Sequence, residues 1–110
     1  VAEGHLDALT ALGGSGPAFL FEFVAGLRDA GIAAGLPPEI ATKVAMETTL
    51  GAARLLVRTG ETPDALRNKV TSPNGTTYAG LQVMAARQFR ETLKEAVLAG
   101  TRRAGELSRE

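Results

Sequence analysis

The sequence predicts an all-α protein, a helical bundle formed by a single domain over residues 1–110. Thirteen glycines and five prolines divide the chain into helix-length blocks joined by short connectors. Inside these blocks apolar residues recur every three or four positions, which is the period of an α-helix. The hydrophobic fraction of 45% suffices for a modest core, and 110 residues fit one domain.

The first two predicted helices are separated by glycines. Residues 3–12 are moderately amphipathic and should end as a helix at Gly13-Gly14. Ser15 can then cap a second helix whose first turn contains Pro17, where a missing amide hydrogen costs least. That helix should run to about Ala34. Its opening turns are apolar on nearly every side, so we expect it to be covered on several faces.

A long helix and a short helix follow. The long helix should occupy residues 38–59, with a proline in its first turn and Gly60 as its stop. Residues 63–69 are predicted as a short helix that also begins at a proline. A polar turn then separates this helix from the last helical region, which begins at Thr76.

The distal part of the last helical region has a regular apolar stripe. Arg87 and Glu91, four positions apart, should support the opposite, solvated face. The sequence leaves open whether Arg87-Gln88 interrupts the helix. The stripe has three- and four-residue spacing and consists of Phe89, Leu93, Val97, Gly100, Ala104 and Leu107.

Alanine and glycine are frequent inside the predicted helices. Glycine in a helix costs about 0.5–1 kcal/mol relative to alanine, so its use there indicates compensation from tight packing between helix axes. Ordinary core packing and a subunit interface would both provide this compensation, and the sequence leaves the two open. The positions are Gly26, Ala30, Ala45, Gly51, Ala52, Ala53, Ala96 and Gly100.

Charge and composition argue against several classes of function. Twelve acidic residues balance twelve basic ones, so there is no global electrostatic reason to expect nucleic acid or an anionic membrane as a partner. With no cysteine and one histidine, His5, we predict no disulfide and no metal site. No uninterrupted apolar run approaches the roughly 20 residues that span a bilayer, so we expect a soluble protein, compatible with the cytoplasm. Because the chain begins at Val1 rather than Met, we expect it to be a piece of a larger protein.

Two further patterns carry no functional prediction. Residues 13–18, Gly-Gly-Ser-Gly-Pro-Ala, lack the spacing and the preceding strand of a dinucleotide-binding loop, and are typical of a bend before a capped helix. Arg102-Arg103 lies in the last helix, where we favour a solvated face over a binding patch.

The strongest candidate for a binding site is the polar segment, residues 70–77, with the sequence Val-Thr-Ser-Pro-Asn-Gly-Thr-Thr. Pro73 fixes its own φ, and the Asn74-Gly75 pair tolerates positive φ. The first N–H groups of the following helix lack internal acceptors and lie at the positive end of its dipole, so a carboxylate or phosphate can bind there. A capped helix start without a ligand fits the same pattern. Neutral donors beside the site are the hydroxyls of Ser72, Thr76 and Thr77.

Two separated motifs resemble pyrroline-5-carboxylate reductase. They are Gly14-Ser15-Gly16-Pro17-Ala18-Phe19 and the polar segment, with Gly35-Leu36-Pro37 between them. The resemblance covers nearly the whole chain and corresponds to the helical C-terminal half of the family. The ordered set that is similar to the family signature is Leu66, Val70, Ser72, Pro73, Gly75, Thr77, Gly80 and Leu81.

The resemblance implies a role in the last step of proline biosynthesis, the reduction of 1-pyrroline-5-carboxylate to L-proline. The cofactor would be NADPH or NADH, bound mainly by an N-terminal domain that this chain lacks, so the isolated chain should be inactive. Residues 1–110 would form the dimerisation and substrate-binding domain. Because the helices over residues 17–34 and 38–59 are apolar on nearly every side, we expect them to assemble an intertwined homodimer, or a multiple of dimers. Nucleic acid and membrane are not expected as partners, and the location implied is the cytoplasm.

The resemblance also assigns site residues. Ser72, Gly75, Thr76 and Thr77 would bind the substrate, and Thr77 would be catalytic by offering its hydroxyl to the ring nitrogen. Departures from the family pattern are Asn74 for a glycine, Phe19 for a frequent tyrosine, and Arg87-Gln88 for a bend that commonly carries glycine. The alternative function is a non-catalytic helical oligomerisation module of a regulatory relative.

Overall fold

The computed structural model describes residues 3–109, and the regular structure in this part of the chain consists of helices joined by short connectors, without a strand. The prediction of an all-α fold is confirmed. The elements in chain order are α1 (Glu3–Leu9), a π-helical segment (Thr10–Gly14), α2 (Gly16–Ala33), α3 (Pro38–Thr59), α4 (Pro63–Lys69), α5 (Thr76–Ala86) and α6 (Phe89–Ser108).

The predicted bounds of α3 and α4 are confirmed, because both are set by local signals. Gly60 ends α3 in the left-handed conformation, with φ of 66°, and its N–H donates to the Leu56 carbonyl oxygen. Thr62 caps α4, since its hydroxyl oxygen accepts a hydrogen bond from the Ala65 N–H at 3.1 Å.

The predicted break between the first two helices is wrong. Gly13-Gly14 belong to the π-helical segment, where the Ser15 N–H donates to the Thr10 carbonyl oxygen across a wider turn. Ser15 has φ of −92° and ψ of −18°, so its backbone is helical and is not that of an N-cap. Ala11 in this segment is 1% exposed. It packs against Gly100 of α6, where an added methyl would lie 3.3 Å from the Ala11 Cβ.

The last helical region is interrupted, and this settles the point that the sequence left open. Gln88 adopts φ of 56° and ψ of 50°, the left-handed conformation, between α5 and α6. Arg87 and Glu91 therefore lie on opposite sides of a break. The expectation that they share one helix face is wrong.

The chain divides into two compact units, each with its own packing. In the first, Val1–Phe19 with Ala79–Glu110, helix α1 and the π-helical segment pack on α6. In the second, Leu20–Tyr78, helices α2 and α3 meet where Gly31 faces Ala41. A methyl on Gly31 would lie 3.1 Å from the Ala41 Cβ, so glycine lets the two helices approach closely here.

A groove of about 530 Å³ opens between α2 and α3 inside the second unit. The hydroxyls of its threonines, Thr42 and Thr49, donate to carbonyl oxygens of their own helix at 2.8 Å, so the lining is mostly apolar, with Arg28 as its charged member. The principal apolar side chains in it are Leu20, Phe21, Val24, Met46 and Leu50.

Few side chains are buried among the described residues. The buried apolar residues are three alanines, Ala11, Ala41 and Ala45, whereas large apolar side chains lie exposed along most helices. Phe21 is 71% exposed and Val57 is 84% exposed. A surface of this kind is typical of a chain that packs against a partner.

One helical stretch, Gly4–Ala33, is long and apolar enough to cross a bilayer on length and composition alone. Charged residues such as Glu22 and Arg28 interrupt the apolar run of this stretch, so no such helix was predicted from the sequence. A packed helix of a soluble protein passes the same test, so this finding carries no membrane assignment.

Candidate functional site

The polar segment is anchored to α4 at its start. The Val70 N–H donates to the carbonyl oxygens of Leu66 and Arg67, each at 3.3 Å. Thr71 makes two hydrogen bonds to α4. Its N–H donates to the Asn68 carbonyl oxygen, and its hydroxyl donates to the Arg67 carbonyl oxygen. The direction in which the polar segment leaves α4 is therefore fixed by backbone carbonyls of α4 itself.

A tight turn follows within the polar segment. The Gly75 N–H donates to the Ser72 carbonyl oxygen at 3.1 Å, which closes a four-residue β-turn. Proline at the second position and a positive φ at the third, 60° at Asn74, fit a type II turn. The prediction that Asn74 can take the left-handed region is confirmed.

Gly75 is needed for a different reason from the one that the sequence predicted. Its φ is not positive, unlike those of Gly35 and Gly60. Instead it lies close against the preceding turn, where an added Cβ would be 3.3 Å from the Ser72 carbonyl oxygen and 3.4 Å from the Ser72 Cβ. Close contact with Ser72, rather than backbone conformation, therefore disfavours a side chain at this position.

Helix α5 begins directly after this turn, at Thr76. Its first N–H groups have no acceptor within the helix, and no acidic residue lies in its first turn to offset their positive potential. Ser72, Thr76 and Thr77 are exposed and Gly75 is half-buried. Within residues 3–109, no hydrogen bond is made by the three hydroxyls. The structure thus brings all four predicted site residues to one helix N-terminus, where backbone and hydroxyl donors can bind a small carboxylate or phosphate.

An ion pair beside the polar segment was not predicted from the sequence. Lys69 Nζ lies 2.6 Å from Glu61 Oε1, and Lys69 immediately precedes Val70. The two residues are eight positions apart and flank α4, so their contact depends on how the chain enters this helix. The predicted glycine motif, residues 14–19, contributes no loop, because it lies in the helical passage from the π-helical segment into α2.

Comparison with protein families gives a match over residues 3–107 to the family described as pyrroline-5-carboxylate reductase dimerisation. The chain is 48% identical over 106 residues to a pyrroline-5-carboxylate reductase of Arabidopsis thaliana, covering 96% of this chain and 38% of the relative. It is 46% identical over 109 residues to that of Synechocystis, covering 99% and 41% respectively. The chain spans about two fifths of the length of these curated relatives.

Solved structures agree with the sequence comparisons. A pyrroline-5-carboxylate reductase from Coxiella burnetii superposes with a TM-score of 0.93 at 37% identity, covering 97% of this chain and 40% of the other. A pyrroline carboxylate reductase from Plasmodium falciparum, solved with NADP bound, gives a TM-score of 0.89 at 29% identity, covering 94% and 40%.

Proposed function

We propose, from the premise that this chain belongs to the pyrroline-5-carboxylate reductase dimerisation family, that it is the substrate-binding and assembly part of an oxidoreductase. The enzyme would reduce 1-pyrroline-5-carboxylate to L-proline with NADPH or NADH, the last step of proline biosynthesis. The relatives bear the name of this activity, and one solved neighbour carries NADP. These names favour a reductase over a non-catalytic oligomerisation module.

The observation that carries the proposal is the N-terminus of α5 beside the turn at Ser72 and Gly75. Its N–H groups and the hydroxyls of Ser72 and Thr76 would bind the carboxylate of pyrroline-5-carboxylate, a small anion that matches the positive end of the helix. Gly75, with no side chain, lets the turn at Ser72 lie close against the start of α5. Nothing in this arrangement requires a charged residue in contact with the substrate.

Thr77 is assigned the catalytic role. Reduction adds a hydride to the carbon of the C=N bond and a proton, taken from solvent, to its nitrogen; a nicotinamide cofactor supplies the hydride when bound. The Thr77 hydroxyl would donate a hydrogen bond to the ring nitrogen. This bond would orient the ring and stabilise the electron density that moves onto nitrogen during hydride addition. With the carboxylate held by neighbouring donors, the ring has two fixed points.

The nicotinamide cofactor would be held mainly outside this chain. The described residues contain no strand, and the glycine motif that could be confused with a dinucleotide loop is helical. The residues present therefore do not fit a dinucleotide site of the Rossmann type, and no step of binding the dinucleotide is assigned to them.

A second copy of the chain is proposed as the partner that covers the exposed apolar helices. The accessible surface is 8382 Å², whereas a folded monomer of 11.4 kDa exposes roughly 5,800 Å². The difference is about 2,600 Å² per chain, or about 5,200 Å² for two chains, which is at the upper end of the total area that obligate homodimers bury. The groove between α2 and α3 would be filled in this assembly, which can be a dimer or a multiple of dimers. The apolar stretch of α2 would then be covered by protein, in agreement with a cytoplasmic enzyme.

The proposal is tested by the complete reductase polypeptide, assayed for oxidation of NADPH and NADH in the presence of 1-pyrroline-5-carboxylate. We expect turnover that yields L-proline, and none from residues 1–110 alone. Absence of turnover with a well-folded complete polypeptide would favour the oligomerisation module instead.

A further inference from the structure

We propose that the ion pair between Glu61 and Lys69 is a positioning device for the polar segment, setting how well the site is formed before substrate binds. This inference rests on the proposed function, because it deals with the same site. It assigns a role to two charged residues that touch neither the substrate nor the reacting atoms.

The two residues of the ion pair lie at opposite ends of α4. Glu61 lies in the connector before α4, and Lys69 is its last residue. Lys69 Nζ and Glu61 Oε1 are 2.6 Å apart, with the side chains 63% and 33% exposed. The ion pair therefore joins the connector before α4 to the last turn of α4. The Glu61 backbone is itself fixed, because its N–H donates to the Thr59 hydroxyl at 3.2 Å.

Helix α4 is short enough to need such support. It has seven residues, and helices of fewer than about 12 residues are marginal by themselves. Two successive hydrogen bonds extend along the helix. The Leu66 N–H donates to the Thr62 carbonyl oxygen, and the Val70 N–H donates to the Leu66 carbonyl oxygen. The ion pair spans the same length of chain and therefore opposes fraying at both ends of α4.

Any displacement of the last turn of α4 would be passed to the polar segment. Lys69 precedes Val70 directly, and the hydrogen bonds of Val70 and Thr71 all go to carbonyl oxygens in that last turn. The turn at Ser72 and the start of α5 follow within a few residues. The ion pair thus raises the fraction of molecules in which the polar segment has the conformation that binds substrate.

The kinetic signature follows from this role. When only a fraction of the free enzyme is competent, the apparent affinity for substrate falls by that fraction, whereas the substrate-bound enzyme is ordered. Loss of the pair should therefore raise the KM for pyrroline-5-carboxylate and leave kcat nearly unchanged. Since exposed ion pairs contribute little, the expected rise in KM is about two- to fivefold.

The experiment compares variants of the complete reductase in steady-state kinetics with pyrroline-5-carboxylate. Glu61→Gln and Lys69→Met each remove the pair, the double variant closes a mutant cycle, and Lys69→Arg retains the charge. The matched control is Glu106→Gln, which removes the exposed Arg103–Glu106 pair at 3.0 Å in α6. Melting temperatures of the same preparations report on global folding.

We expect both single variants and the double variant to raise KM by the same factor. Lys69→Arg and Glu106→Gln should keep KM near the wild-type value, and the melting temperatures of all variants should be similar. Equal effects of single and double variants mean that the two charges act as one unit. Unchanged KM in the single variants, or effects that add in the double variant, would overturn the inference. Turnover by the wild-type enzyme in the same assay would leave the proposed function intact. Lack of wild-type turnover would instead reject the proposed function.

Discussion

Gly75 donates its N–H to the Ser72 carbonyl oxygen at 3.1 Å and lies so close that an added Cβ would be 3.3 Å from the same oxygen. The hydrogen bond and the close approach belong to one turn, which delivers the chain into α5. The absence of a side chain at Gly75 therefore allows the close approach to Ser72 within this turn.

The change Gly75→Ala should displace this turn by a few tenths of an ångström. Because the backbone at Gly75 is not left-handed and the site is partly exposed, we expect a modest loss in the free energy of unfolding, about 0.5–1 kcal/mol. Misplaced donors should lower kcat/KM by roughly tenfold or more. Steady-state kinetics and urea denaturation of the complete reductase measure the two effects.

The control is Gly4→Ala, since a Cβ at Gly4 meets nothing within 4 Å and lies in α1. It should leave kcat/KM unchanged. A Gly75→Ala enzyme with wild-type kcat/KM would contradict the spatial role of Gly75.

Gln88 holds a left-handed backbone at the break between α5 and α6, a conformation that costs a non-glycine residue about 1–2 kcal/mol. The change Gln88→Gly relieves this cost but raises the entropy of the unfolded chain. We expect a net gain of about 0.5–1 kcal/mol in the free energy of unfolding, measured by urea denaturation.

The neighbouring change Arg87→Gly serves as the matched control, because Arg87 does not have a positive φ. It should lower the free energy of unfolding. Equal effects of the two glycines would show that the left-handed backbone at Gln88 is not the cause.

The contrast between α4 and the π-helical segment shows what the sequence could predict. The bounds of α3 and α4 follow from Gly60 and from Thr62 with the proline after it, which act within one helical turn. Gly13-Gly14 carry an equally strong local stop signal, yet packing of Ala11 on Gly100 of α6 keeps the chain helical there. Local signals fail where a contact distant in sequence opposes them.

The candidate site shows the same difference between features that follow from neighbouring residues and features that depend on the path of the folded chain. The polar segment was predicted as an anion site because the turn chemistry lies within eight consecutive positions, whereas the roles of its four residues came from the resemblance to the reductase family. The spatial restriction on Gly75 depends on the actual distance to Ser72, and the ion pair of Glu61 and Lys69 depends on the path of the connector before α4. Neither can be read from residue type.

Self-association should depend on the exposed apolar face of α2. Light scattering of the 110-residue chain at micromolar concentration should give twice its mass of 11.4 kDa, or a multiple of it. Phe21→Asp places a charge on a side chain that is 71% exposed, and should lower the measured mass or unfold the chain, because a charge cannot be buried unpaired in an interface.

The control for Phe21→Asp is Arg102→Glu, which changes charge at an exposed position of α6. It should leave the measured mass unchanged. A monodisperse, folded wild-type monomer would reject the homodimer.

The most direct test of the central claim is the change Thr77→Ala in the complete reductase, with kinetics and melting temperature measured on one preparation. If the Thr77 hydroxyl aligns the ring nitrogen, turnover should fall by one to several orders of magnitude, as is typical when a positioned donor is removed. Thr77 is exposed, so the melting temperature should change little. A cooperative, nearly unshifted melt with poor turnover is the predicted result. Near-normal turnover with a lowered melting temperature would contradict the catalytic assignment and leave Thr77 as a residue that stabilises the start of α5.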